Sequence, residues 1–136
     1  MSFGESVKTC INKYATFDGR ATRSEFWWFY LFIILVSFIA LLPGYILMFA
    51  GIASTSEGDS PGFVFWLGLI LLLIGALFEL ALIIPQLAVG CRRLHDRGQS
   101  GWLQLLLLVP CGNIVLLIFW LMEGTPTDNA YGPKPA

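Results

Sequence analysis

From Phe26 to Ser56 the chain runs through thirty-one residues without one charged side chain. Two similar stretches follow. Phe63 to Cys91 is interrupted only by Glu79, and Gly98 to Met122 by no charge at all. A helix needs roughly 20 apolar residues to cross a hydrocarbon core of about 30 Å, at about 1.5 Å of rise per residue. The core helix of a soluble protein rarely stays apolar on every face for so long. Hydrophobic residues make up 57% of the chain and charged ones 12%, against about a quarter charged in soluble domains. Nothing remains from which to build a water-soluble core, so the bilayer is the solvent.

The reading is an all-α polytopic membrane protein, a single membrane domain over residues 1–136. Spans are expected at about 26–53, 63–89 and 102–122, after a segment 1–25 that holds a short interfacial helix, with an irregular tail over 123–136. Seven of the eight basic residues lie before the first span or between the second and third: Lys8, Lys13, Arg20, Arg23, Arg92, Arg93 and Arg97. The first connection holds only Glu57 and Asp59. The positive-inside rule therefore puts the N-terminus and the Arg92–Arg97 segment in the cytoplasm. The first apolar run is too long for a cleavable signal peptide. Cys10, Cys91 and Cys111 are three and are expected as free thiols.

Phe3, Val7, Cys10, Ile11 and Tyr14 fall on one face of a helix over Ser2 to Tyr14, which is expected to lie along the cytoplasmic interface. Thr22 to Glu25 has the form of a capping box that opens the first span. Trp27, Trp28, Phe29 and Tyr30 read as an interfacial aromatic belt. Ser37, Ala40, Gly44 and Gly51 form a small-residue stripe in the first span. Gly68, Gly75, Glu79, Gln86 and Gly90 form a second, which carries the only strongly polar groups of its span. Small residues let helix backbones approach, so each stripe is expected to face another helix. Pro110-Cys111-Gly112-Asn113 breaks the third apolar stretch at its middle. It fits a kinked spanning helix, the reading adopted, or a re-entrant hairpin with both ends on one side.

Glu79 is the strongest single candidate for chemistry, because an acid within a span marks a pathway or a pairing site. A proton or ion path needs further titratable groups at depth, and this span has one. The segment Arg92 to Trp102 is the most polar. It reads as an arginine-anchored cytoplasmic turn, or as a site for anionic lipid headgroups. A single histidine excludes a multi-histidine metal centre, and Cys10, Cys91 and His95 lack metal-ligand spacing. No phosphate-binding glycine loop, nucleophile elbow or dinucleotide fingerprint occurs. No metal, cofactor or nucleic-acid partner is expected.

Three segments resemble one family. Phe17 to Trp28 is similar to a G-R-x-x-R-x-E-[FY]-W-W motif. Arg92 to Trp102 is similar to R-R-L-H-D-x-G-x-S-G-W, and Gly124 to Pro135 to G-T-x-x-x-N-x-Y-G-x-x-P. In this order they resemble the bacterial inner-membrane family called domain of unknown function 805. The resemblance implies a small bacterial inner-membrane protein and supplies no activity. Arg20, Arg23, Arg92, Arg93, His95 and Asp96 share the cytoplasmic face with Glu25, so an Arg–acid network at the span ends is expected. The leading functional reading is a non-enzymatic interaction or accessory protein whose partners are the bilayer and other membrane proteins or its own copies. The alternatives are a transporter or channel subunit built around Glu79 and, last, a lipid-headgroup enzyme using His95 and Asp96.

Overall fold

The computed structural model describes residues 1–136. The order of elements is α1 (Phe3–Asn12), α2 (Arg23–Ala53), α3 (Phe63–Asp96), a 3-10 helix (Gly101–Leu108) and α4 (Gly112–Leu121). The one strand-like pairing is an isolated bridge between Asn129 and Gly132. The chain divides into two compact units, Met1–Leu31 with Ile84–Ala136, and Phe32–Ile83.

The second unit is the simpler. Its parts of α2 and α3 pack through glycines. A Cβ at Gly44 would lie 2.9 Å from the Leu72 amide nitrogen, and one at Gly68 would lie 2.8 Å from the Gly44 carbonyl oxygen. One at Gly75 would lie 2.6 Å from the Ala40 carbonyl oxygen. Backbone therefore meets backbone along this seam, and any side chain would push the helices apart. Outward, Phe38 is 62% exposed, Ile39 76% and Leu77 68%. Only 11% of the most apolar stretch of α2 is buried, and 17% of that of α3. Large apolar side chains left bare on this scale suit hydrocarbon, because each would cost about 1.5–3 kcal/mol in water relative to burial.

In the first unit, α1 opens on a complete capping box. The Ser2 amide donates to Glu5 Oε2 at 2.8 Å, and Ser2 Oγ accepts from the Glu5 amide at 3.4 Å. The expected apolar face of α1 is turned mostly away from the protein, with only Cys10 of it fully buried. Ser6 and Cys10 are fully buried, while Phe3, Ile11 and Tyr14 are exposed. Small side chains four apart let α1 lie close against the start of α2, where Ser6 Oγ donates to the Ser24 carbonyl at 3.4 Å. Thr22 Oγ1 accepts from the Glu25 amide at 3.1 Å, which is half of the expected capping box. The Glu25 carboxylate is committed elsewhere, as described below.

Two expectations are corrected. The Arg92–Asp96 segment is not a loop but the last turns of α3, which continues through Pro85 to Asp96. The third span over 102–122 is not one helix, and only α2 and α3 are long and apolar enough to cross a membrane. The chain breaks after Leu108, and Cys111 takes a left-handed conformation with φ 63°. Pro110 lacks the amide a continuing helix needs, and the left-handed residue reverses the path. The two arms form a hairpin that starts and finishes beside the C-terminal turns of α3, with Gly101 against Cys91 and the Trp120 and Met122 carbonyls on Arg93.

Gly75→Leu is expected to destabilise the protein by about 1–3 kcal/mol, because a backbone carbonyl cannot move aside as a side-chain tip can. The loss should be read as a lower thermal midpoint in detergent with insertion retained. An unchanged midpoint would refute the close seam.

Candidate functional site

Asp96 sits at the end of α3 and receives two arginines from different parts of the chain. Its Oδ1 accepts from Arg20 Nε at 2.9 Å and lies 2.9 Å from Arg20 Nη2. Its Oδ2 accepts from Arg93 Nη1, one helical turn earlier on the same face. Arg92 points about 100° away around the helix and reaches Glu25 Oε1 at the start of α2. The side chains of Arg20, Arg92 and Arg93 are at most 1% exposed.

Three buried guanidiniums therefore face two carboxylates. The balance comes from backbone carbonyls. Arg20 donates to the carbonyls of Thr125 at 2.7 Å and Thr127 at 2.8 Å. Arg93 donates to those of Trp120 at 3.2 Å and Met122, at the end of α4. A helix C-terminus carries partial negative charge and unsatisfied carbonyls, which favours a cation there. Gly124 lets the tail pass directly over the Asp96 carboxylate, since a Cβ there would lie 2.5 Å from its Cγ. The Thr125 amide donates to the Asp96 carbonyl at 2.8 Å. The Ala21 amide donates to the Arg92 carbonyl at 3.1 Å.

His95 is held on three sides. Its Nδ1 lies 3.1 Å from the Gly19 carbonyl, an acceptor only, so Nδ1 carries the proton and in the neutral ring Nε2 accepts. Nε2 lies 3.5 Å from Cys91 Sγ. The Tyr131 ring stacks flat on the imidazole at 3.9 Å with 3° between the planes. Asn129 makes that stacking possible, because its Nδ2 donates to the His95 carbonyl at 2.9 Å and its Oδ1 accepts from the Tyr131 amide at 2.9 Å.

Side chains from both arms also hook the hairpin onto α3. Gln104 Nε2 donates to the Leu87 carbonyl at 3.1 Å, and Trp120 Nε1 donates to the Gly90 carbonyl at 3.3 Å. A Cβ at Gly90 would strike the Gln104 amide and lie 3.4 Å from the Trp120 ring. Gly90 is thus the seat of the hairpin.

Of the residues singled out from sequence, Arg20, Arg92, Arg93, His95 and Asp96 come together with Glu25. Arg23 does not join them. It is half exposed and faces Glu123 at 3.5 Å on the surface. Gly68 and Gly75 lie in the helix seam, and Gln86 is half-buried. Glu79 is half-buried, and its Oε1 is enclosed without a hydrogen-bond partner. Ser37, of the first-span stripe, donates to the Ile33 carbonyl of its own helix at 2.8 Å. Cys10, expected on the α1 face and as a free thiol, abuts the Glu25–Arg92 pair. Burial first, and then the Glu25 carboxylate, pushes its thiol up to about 12. It stays protonated at neutral pH, 3.8 Å from Glu25 Oε1. Gln104 and Trp120 carried no sequence signal beyond being polar or amphipathic in an apolar run.

Comparison with known proteins gives one consistent result. The family model described as a protein of unknown function (DUF805) matches residues 14–133. The inner membrane protein YhaI of Escherichia coli is 36% identical over 126 residues, covering 92% of this chain and 90% of YhaI. The inner membrane protein YhaH of the same organism is 31% identical over 126 residues, covering 92% of this chain and 91% of YhaH. No solved structure matches the chain significantly.

Asp96→Ala is expected to cost about 3–5 kcal/mol, because it strands two buried guanidiniums. Arg23→Ala should cost no more than about 1 kcal/mol, as befits an exposed pair. Thermal melts of both variants in one detergent give the comparison, and similar midpoints would show that the buried cluster is not what holds this end together.

Proposed function

The chain belongs to the family of proteins of unknown function DUF805, and from that premise we propose that it is a non-enzymatic interaction or accessory protein of the bacterial inner membrane. The observation that carries this reading is where the three motif segments spend their polar groups. Both Asp96 oxygens, the Glu25 oxygen beside Arg92 and the buried guanidiniums, save the enclosed Arg92 Nε, are engaged with one another or with backbone carbonyls. General acid–base work needs a side chain within reach of a substrate proton, and a carboxylate clamped between two arginines is poorly placed for it. The same engagement weighs against anionic-headgroup capture by Arg20, Arg92 and Arg93, which have no exposed donor face to offer.

In this reading the cluster is a lock. It ties the N-terminal segment, the end of α3, the hairpin and the tail together at the cytoplasmic end, with the N-terminus inside. The hairpin enters and leaves the cytoplasmic leaflet. The bare apolar faces of α2 and α3 are free for lipid or for other membrane proteins.

A second reading has one observation in its favour, the unpartnered Glu79 Oε1. An acid left unsatisfied within a span calls for a partner, which another copy of the chain would supply. This suits an oligomer, and through it a transporter or channel subunit.

Membrane-impermeant thiol labelling in intact cells tests the arrangement. Cysteine probes placed at Ser60 and Ala136 should differ, with Ser60 labelled from outside and Ala136 protected. Labelling of both would restore a third span. Purification in native membrane discs then tests the accessory role through the stoichiometric recovery of the same membrane protein in replicate preparations. Glu79→Gln separates the two readings. It should leave insertion, thermal midpoint and the co-purifying set unchanged. Loss of an ion or proton flux in a normally inserted Glu79→Gln protein would overturn the accessory reading in favour of transport.

A further inference from the structure

A cavity of about 680 Å³ lies beside the end of α3, within the range of roughly 300–1,000 Å³ usual for small-molecule sites. Its walls change character along its length. Leu87, Cys91 and His95 are spaced by four on α3, so they form one wall about 12 Å long. The 3-10 helix runs along it from one end to the other. A Cβ at Gly101 would lie 3.4 Å from His95 Nε2, whereas Gln104 is bonded to the Leu87 carbonyl. His95 and Ser100 therefore mark the end toward the close of α3, where Tyr131 stacks on the imidazole. Leu105, Leu107 and Leu108 belong to the other, apolar end. Leu108 is 83% exposed and Trp102 79%, so this wall is open on its apolar side.

The polar end is rich in acceptors and lacks cations. Asp18 is the only charged residue in the lining, and no Lys or Arg contributes to it. Cys91 lies 3.6 Å from the Phe17 carbonyl and 3.5 Å from His95 Nε2. Its thiol has one proton, so it satisfies only one of these two acceptors at a time. In the neutral ring, one of these two acceptors is left over at the polar end of the cavity. We infer that this cavity binds a single-chain amphiphile with an uncharged, hydroxyl-bearing head. The head hydroxyls donate to His95 Nε2 and Asp18, and the chain lies along Leu87, Leu105 and Leu108. An anionic head meets the Asp18 carboxylate with no cation to offset it.

The test uses the full chain in bilayer discs and two probes with the same brominated chain, a monoacylglycerol and the corresponding fatty-acid anion. Trp102 lines the cavity and reports contact through bromine quenching. The monoacylglycerol should quench saturably, the saturable part should vanish in Trp102→Phe, and the anion should bind about ten-fold more weakly. Leu105→Phe, which narrows the cavity at an exposed position, should weaken the monoacylglycerol about ten-fold with an unchanged thermal midpoint. Asp18→Asn, on the surface, should shrink the difference between the two probes even if Leu105→Phe fails to fold. Quenching that rises linearly with probe, is equal for both heads and is indifferent to Asp18→Asn would mean bulk lipid contact, and would overturn the assignment.

Discussion

The bifurcated ion pair at Asp96 is the constraint on which the first unit depends. Arg20 arrives from the loop before α2 and Arg93 from α3 itself, and the carboxylate between them fixes where the loop can pass. Taking any one of these groups out of water alone would cost several kcal/mol. Their burial is tolerable only because each finds several partners at once. Arg20 is the clearest case, because its nitrogens also gather carbonyls of the tail. The tail is thus ordered by donors it does not itself supply. This explains how a segment with few apolar side chains and no helix holds a defined path.

The same cluster turns an unfavourable count into a specific fold. Three cations against two acids would leave one charge uncompensated in an interior of low dielectric. The spare positive charge is met by the carbonyl ends of α4 and the tail. A hairpin suits this need better than a span. A third helix crossing to the far side would carry the Trp120 and Met122 carbonyls away from Arg93.

Much of this was legible in residue order. The glycine spacing in α2 and α3 exposed the helix seam, because close approach has no other cheap solution than small residues at helical intervals. The cluster's membership was mostly legible too, since charged residues at the ends of apolar runs have few places to go. Arg23 was misplaced because two arginines three apart near a helix start look equivalent, and only the acids' positions decide which turns inward. Arg92–Asp96 is as polar as an irregular segment, yet it holds no breaker before Gly98 and stays helical. Glycine–proline punctuation at Pro110–Asn113 fits a kink and a reversal alike. What decides between them is the hooks of Gln104 and Trp120 on α3 carbonyls, which are long-range contacts that no local pattern encodes.

The hairpin's dimensions suit the shallow insertion proposed for it. Eight residues of 3-10 helix rise about 16 Å, and ten of α-helix about 15 Å, so each arm reaches about half of a 30 Å hydrocarbon core. Non-helical backbone at such depth must satisfy its own polar groups. In the turn, the Val109 amide donates to the Leu106 carbonyl at 3.1 Å and the Gly112 amide to the Val109 carbonyl at 2.9 Å. Its exposed tip is Leu108, Val109, Pro110 and Cys111, and Pro110 has no amide to satisfy at all. A breaker cluster that would weaken a spanning helix therefore suits the shallow hairpin proposed. The glycine at position 112 serves the same end, since a side chain there would collide with the Leu106 carbonyl and pry the arms apart.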